Sequence, residues 1–318
     1  MTTFRFAELA LSSPIIAQTT ALPSDSVGRQ IEKAGAGALL LPGLNTSTFD
    51  PTQTEGYHPA NRNAAAERAL AGVKLETEID SYLETIERLA ALNLPLIASL
   101  HTTAIKRPHS VAQAMADAGA AAVLIRPFSI GADDRRTEHV ERDALGSVGR
   151  CSQALDVPVL CELPIGSLGL QSLAEALARA GAKGLVVNST APLVYVDSDR
   201  RSTKHNRLSS ELSDATFFHA IGAVWQLYRR ISPHMACAIP FGRTKGAIDA
   251  LLVGASASVV TVPASDGTKA AAIISGHVRA FGAWCDASRT DPLELRGTLS
   301  ASRQQSSLER QVELPTRT

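Results

Sequence analysis

The sequence predicts an α/β chain closed into a (β/α)8 TIM barrel, with a long insertion after strand 2 and a C-terminal tail. Three observations predict it. A small glycine-containing phrase leads into an apolar run four times: AGAGALLL from Ala34, AGAAAVLI from Ala118, AGAKGLVV from Ala180 and VGASASVV from Val253. A second phrase closes a short loop and opens another apolar run: SSPIIAQ from Ser12, LNLPLIASL from Leu92, LDVPVLCEL from Leu155 and SPHMACAIP from Ser232. The two take turns, giving eight apolar runs separated by helix-like stretches. Eight parallel strands, each followed by a helix, close into a barrel whose active site lies in the loops after the strands' C-terminal ends.

Each element then follows in order. Residues 4–11, FRFAELAL, alternate weakly and suit a small hairpin plugging the bottom of the barrel. Strand 1 is Pro14–Ala17; Pro23, Ser24 and Asp25 signal the next helix start, and the glycines after Lys33 its stop. Strand 2 is Ala38–Leu41. The insertion that follows, residues 42–74, is rich in Thr, Asn, Ala and Pro, and a loop of that length suits a lid or a subunit contact. Over Thr77–Leu92, Ile79, Tyr82, Leu83, Ile86, Leu89 and Ala90 share one helix face. Strands 3 to 6 fall at Leu96–Leu100, Ala121–Ile125, Val159–Leu163 and Gly184–Val187, with a helix at Ser110–Asp117 after the first of them. The stretch 189–210 lacks periodicity and is expected to be a long loop over the barrel mouth. An aromatic-rich helix, Ser213–Ile231, precedes strand 7 (Met235–Ile239). Lys245–Val253 is the next helix, Ser258–Val262 is strand 8, and Lys269–Cys285 closes the barrel. Residues 1–286 thus form one barrel domain, and 287–318 a polar tail.

Bulk properties set limits. The 318 residues carry 31 Lys and Arg against 31 Asp and Glu, so no basic excess points to nucleic acid or an anionic membrane. No apolar run approaches the length of a membrane span, and no leader-like segment opens the chain. Four cysteines show neither metal-ligand spacing nor a disulfide framework. Cys161 and Cys237 sit within apolar runs as core residues, and a reducing cytoplasm is the expected setting. The eight histidines lack HxH or HExxH spacing, so no metal site is expected.

The strand ends carry the candidate chemistry. Glu162 stands inside strand 5, where an unpaired carboxylate is costly. It reads as a general acid or base, as half of a structural pair with Arg126 from the end of strand 4, or as a side chain turned outward against a helix. His101 is either an acid/base or ligand-binding group or an ordinary rim residue. Asn188 suits a ligand's polar edge or a loop cap. Thr19, just after strand 1, is a candidate cofactor contact. The segments after strands 7 and 8 are where such barrels hold phosphate. Here Gly242, Arg243, Thr244, Ala264 and Ser265 are the candidates, while Phe241 adds bulk and Pro263 removes a donor.

At these residues the chain resembles the dihydroorotate dehydrogenase family, closest to its dihydroorotate dehydrogenase-like branch. The likeness runs from LALSSPIIAQTTALPSD and IEKAGAGALLLPGL through LPLIASL, ADAGAAAVLI, DVPVLCELPIGSL and ARAGAKGLVVN to RLSSELS, GAIDALLVGASASVV and LRGTLS. The resemblance implies an FMN-linked oxidoreductase acting on the C–C bond of a small ring substrate (a CH–CH donor), with the flavin phosphate in the strand 7 and 8 loops. It also implies departures. The family's flavin-contacting lysine falls on Glu162, its strand 4 asparagine on Arg126, its base region near Phe128 and Ser129, and its paired glycines on Phe241 and Gly242; Asn188 matches a family asparagine. Three readings stay open: an FMN oxidoreductase in which Arg126 supports the flavin, a flavin-free barrel using Glu162 and His101 for acid/base chemistry, and a non-catalytic relative that binds a partner protein. The expected partners are a small-molecule substrate and further copies of the chain or another protein.

Overall fold

The structure is a computed structural model. It describes residues 3–44, 78–102, 105, 107–127, 137–164, 169–188, 193–197, 202–206 and 214–299. Its centre is a closed barrel of eight parallel strands: β3 (Ile15–Thr19), β4 (Ala38–Leu44), β5 (Leu96–His101), β6 (Ala122–Arg126), β7 (Val159–Pro164), β8 (Gly184–Asn188), β11 (His234–Ile239) and β12 (Ala257–Val262), with β12 pairing back onto β3. The predicted (β/α)8 fold is therefore the observed one, with most strand ends displaced by one to three residues.

The structure explains the alternating phrases. Helices α1 (Asp25–Lys33), α3 (Pro108–Asp117) and α5 (Leu170–Arg179) end two residues, and α7 (Gly246–Val253) one residue, before a glycine of the repeat: Gly35, Gly119, Gly181 and Gly254. All four have positive φ, between 89° and 120°. The next residue's N–H then bonds back to a carbonyl five residues earlier: Ala36 to Ile31, Ala120 to Met115, Ala182 to Leu177 and Ala255 to Ala250. This is the Schellman stop, which needs a residue that tolerates the left-handed region. The repeated phrase is thus a helix terminator joined to the strand it feeds, and it precedes every second barrel strand.

Below the barrel, β1 (Phe4–Phe6) and β2 (Leu9–Leu11) form the expected antiparallel hairpin. Phe6 is fully buried, and its ring lies so close to Gly184 at the start of β8 that an added Cβ would stand 3.1 Å from it. The hairpin therefore plugs the N-terminal end. The stretch 189–210 departs from expectation: β9 (Leu193–Asp197) and β10 (Ser202–Asn206) pair as an antiparallel hairpin. The run Val194-Tyr195-Val196 is a strand signal by residue type, outweighing the polar residues around it.

Helix α2, described over residues 78–89, buries Tyr82, Ile86 and Leu89 as its pattern predicts. Ala90 is exposed instead, and Thr85 is buried, its hydroxyl satisfied by the Ser81 carbonyl at 2.9 Å. Helices α4 (Thr137–Ala154) and α6 (Asp214–Leu227) flank α5, and α8 (Gly267–Ser288) packs on α1. Beyond it, α9 (Pro292–Leu295) leads into backbone bonds from Gly297 to Leu251 and from Leu299 to Leu252, so the first part of the predicted tail is tied to α7. Residues 45–77, most of the predicted insertion, and 300–318 lie outside the described residues.

Candidate functional site

Strand register decides which side chains enter the mouth, because partners on neighbouring strands share a face. Glu162 pairs with Val186, Val186 with Ala236, Val259 with Ile16, Gln18 with Leu40, Gly43 with Ser99, and His101 with Arg126. Followed around the barrel, the interior face at the C-terminal end carries Gln18, Gly43, Ser99, His101, Arg126, Glu162, Asn188 and Thr261. Thr19, the candidate expected at the end of β3, faces the opposite way. It is fully buried, and its hydroxyl has no hydrogen-bond partner among the described residues. Gln18 and Thr261, paired in register across β3 and β12, occupy the interior position instead.

A chain of polar contacts crosses four adjacent strand ends. Arg126 Nε donates to Ser99 Oγ at 2.7 Å. Its Nη1 faces Glu162 Oε2 at 3.6 Å, an ion pair with the two side chains 8% and 10% exposed. Asn188 Nδ2 donates to Glu162 Oε1 at 2.7 Å. Each oxygen of Glu162 therefore has a partner, and β5, β6, β7 and β8 are cross-linked at their rims. The structural-pair reading of Glu162 is the one this geometry matches. His101 lies beside Gly43: a Cβ built on Gly43 would meet the imidazole Nε2 at 2.5 Å and Arg126 Cδ at 3.3 Å. Glycine is needed there because the ring occupies the space.

One supporting residue comes from outside the barrel. The hydroxyl of Tyr82 on α2 accepts from the Ser99 backbone N–H at 2.9 Å and reaches the Pro42 carbonyl, also at 2.9 Å. The β4–β5 register shifts between Leu40 and Gly43, and the phenol fills the interrupted ladder at that bulge. Burial pushes this hydroxyl well above the ordinary tyrosine range, so it serves as a neutral donor and acceptor. The sequence showed only a tyrosine on an apolar helix face; its polar end was the available hint.

The segments after β11 and β12 are engaged with the protein itself. Arg243 stacks against Phe217 and Phe218, its Cζ 4.8 and 5.0 Å from their centroids, and pairs with Asp249 at 3.5 Å. The Ala264 N–H donates to Thr20 Oγ1 at 3.4 Å. Asp266 caps α8 by accepting from the Lys269 N–H at 2.9 Å, placing the chain's own carboxylate at that helix N-terminus. Gly242, Thr244 and Ser265 are at least partly exposed, and a Cβ on Gly242 would meet open space. His277 of α8, fully buried and unremarked in the sequence, donates from Nε2 to the Phe241 carbonyl at 2.9 Å and holds this segment down. Burial lowers its pKa. Ser129 lies outside the described residues.

Burial pushes the Cys237 thiol up to about 12 and the Cys161 thiol well above its usual value, as core cysteines require. Among the described residues no group of three or more His, Cys, Asp or Glu could hold a metal ion, and no helix is long and apolar enough to cross a membrane.

Neither a family model nor a curated protein matches this chain. Among solved structures, 897 chains are similar to it. One is a crystal structure of a mandelate oxidase variant with 4-Br-2-hydroxy-methylphenylacetate. It has a TM-score of 0.50 and 16% identity, over 93% of this chain and 79% of that one. At that identity the likeness establishes the barrel fold.

Proposed function

We propose that this protein is a divergent barrel of the flavin-oxidoreductase type, related to the dihydroorotate dehydrogenase-like branch, that has given up FMN and closed its mouth with a structural ion pair. The observation that carries this reading is the Ser99–Arg126–Glu162–Asn188 chain, its first three members buried. The residues to which the resemblance assigns the flavin do not fit it. A carboxylate stands at the position of the family's lysine, where the electron-rich edge of a reduced flavin would meet negative charge. Its two oxygens are held by Arg126 and Asn188. Two of the phosphate candidates are committed as well, Arg243 to two phenylalanines and Asp249 and the Ala264 N–H to Thr20, and the α8 terminus is taken by Asp266. Acid/base chemistry by Glu162 is disfavoured on the same ground, since accepting a proton would sacrifice one of its contacts.

A second reading, an FMN-linked oxidoreductase acting on a small ring substrate, draws on the fold shared with a mandelate oxidase and on the exposed Gly242, where a backbone could approach a ligand. Absorption of the purified full-length protein between the near ultraviolet and the blue, followed by titration with FMN, separates the two. No copurifying flavin and no saturable binding is the expected result. Stoichiometric flavin would overturn the first reading in favour of the second.

A further inference from the structure

The N-terminal end of the barrel, opposite the mouth, holds a cavity of about 570 Å³. Arg5 of β1, Tyr228 after α6, His234 at the start of β11, Leu251 of α7, Ser256 just before β12 and Arg296 after α9 line it. Three of these present buried polar atoms without a hydrogen-bond partner among the described residues: His234 Nδ1, Ser256 Oγ and Arg296 Nε. Ser256 is only 3% exposed. Native structures match such groups with protein, water or ligand, and three of them converge on this one cavity. Two arginines line the cavity and no Asp or Glu does.

Arg296 is held in place rather than trailing. The Tyr228 hydroxyl donates to its carbonyl at 3.2 Å, and its guanidinium lies 5.5 Å from the Tyr228 ring centroid. Gly297, at φ 69°, turns the chain so that its N–H reaches the Leu251 carbonyl at 2.9 Å. A side chain at that glycine would run into the Tyr228 ring. Burial lowers the His234 pKa and the Arg296 charge lowers it further, with a hydrogen bond to the Arg5 backbone opposing them and the Arg5 charge adding to them.

We propose that this cavity is a binding site for an organic phosphate: the dianionic head meets Arg5, Arg296, His234 and the Ser256 hydroxyl, and an apolar body lies against Tyr228 and Leu251. Two arginines with a hydroxyl and an imidazole exceed what a monocarboxylate needs and match phosphate oxygens. The volume, far larger than an inorganic ion requires, leaves room for the body. In barrels of this kind chemistry sits at the other end. This site therefore binds without catalysing, and it stands whatever the mouth holds.

The test uses the full-length protein and calorimetric titration with phenyl phosphate, inorganic phosphate and benzoate. Phenyl phosphate is expected to bind most tightly, with Arg5→Gln and Arg296→Met each weakening it about tenfold or more. Arg5 is exposed, so its variant keeps the test alive if Arg296→Met fails to fold. In NMR titration the His234 pKa should rise on binding. No binding, benzoate or inorganic phosphate binding as well as phenyl phosphate, or affinity unchanged in both arginine variants overturns the proposal.

Discussion

The two ends of this barrel treat their polar side chains in opposite ways. At the C-terminal mouth, Ser99, Arg126, Glu162 and Asn188 satisfy one another in a closed chain. At the N-terminal end, His234, Ser256 and Arg296 converge on a cavity with atoms left unmatched. Charges that complete each other stiffen a rim, while charges left open around a space await a guest. The difference suggests that the mouth has been turned toward structure and that the opposite end has acquired a binding role.

The sharpest way to break that contrast is Glu162→Gln. It leaves Arg126 as a buried cation without its counter-ion, which should cost about 3–5 kcal/mol of stability in urea unfolding. The double variant Arg126→Met with Glu162→Leu should recover most of the loss. A single variant as stable as the parent would show that the mouth is not closed by this pair. Next comes a matched pair of serines. Ser99→Ala removes a hydrogen bond to a charged group and should cost about 1.5–3 kcal/mol. Ser256→Ala removes a buried hydroxyl with no partner among the described residues and should raise stability by about 1 kcal/mol rather than lower it. Equal losses at the two serines would erase the contrast.

The smallest expected effect is a pH dependence. His277 at one end and His234 at the other have folded-state pKa values below the ordinary value of about 6.5, burial being the main cause for each. Above that value both states hold neutral imidazole and stability is full. As pH falls below it, the unfolded chain takes up protons first, so stability declines until the folded-state pKa is passed. Denaturant midpoints from pH 8 to pH 5 should show this fall. His277→Gln should flatten it, and phenyl phosphate should flatten the His234 share.

How far the sequence reached depended on distance along the chain. The eight strands were readable because each is a contiguous apolar run, half of them announced by a glycine stop. The Arg126–Glu162 pair was readable because successive barrel strands are neighbours. Ser99 and Asn188 as its further partners were not, since that depends on register. Register also separates Gln18 from Thr19, adjacent residues facing opposite ways, and no local signal does so. Arg243 looked like a phosphate ligand because the phenylalanines that receive it lie on the preceding helix. The cavity around Ser256 was invisible because separate elements, distant in sequence, build it. The β9–β10 hairpin was hidden because the polar residues around it mask the Val-Tyr-Val run.

Tyr82 carries one more consequence. Its hydroxyl joins Pro42, at the bulge within β4, to Ser99 on the strand that follows, across 40 residues of sequence on the Pro42 side. Departure and return of the intervening segment are thereby soldered to the same spot on the barrel wall. The entropic penalty of lengthening a closed segment grows only with the logarithm of its length. The closeness of α2 to the barrel wall is therefore owed to the two bonds of the phenol rather than to the length of chain between its ends.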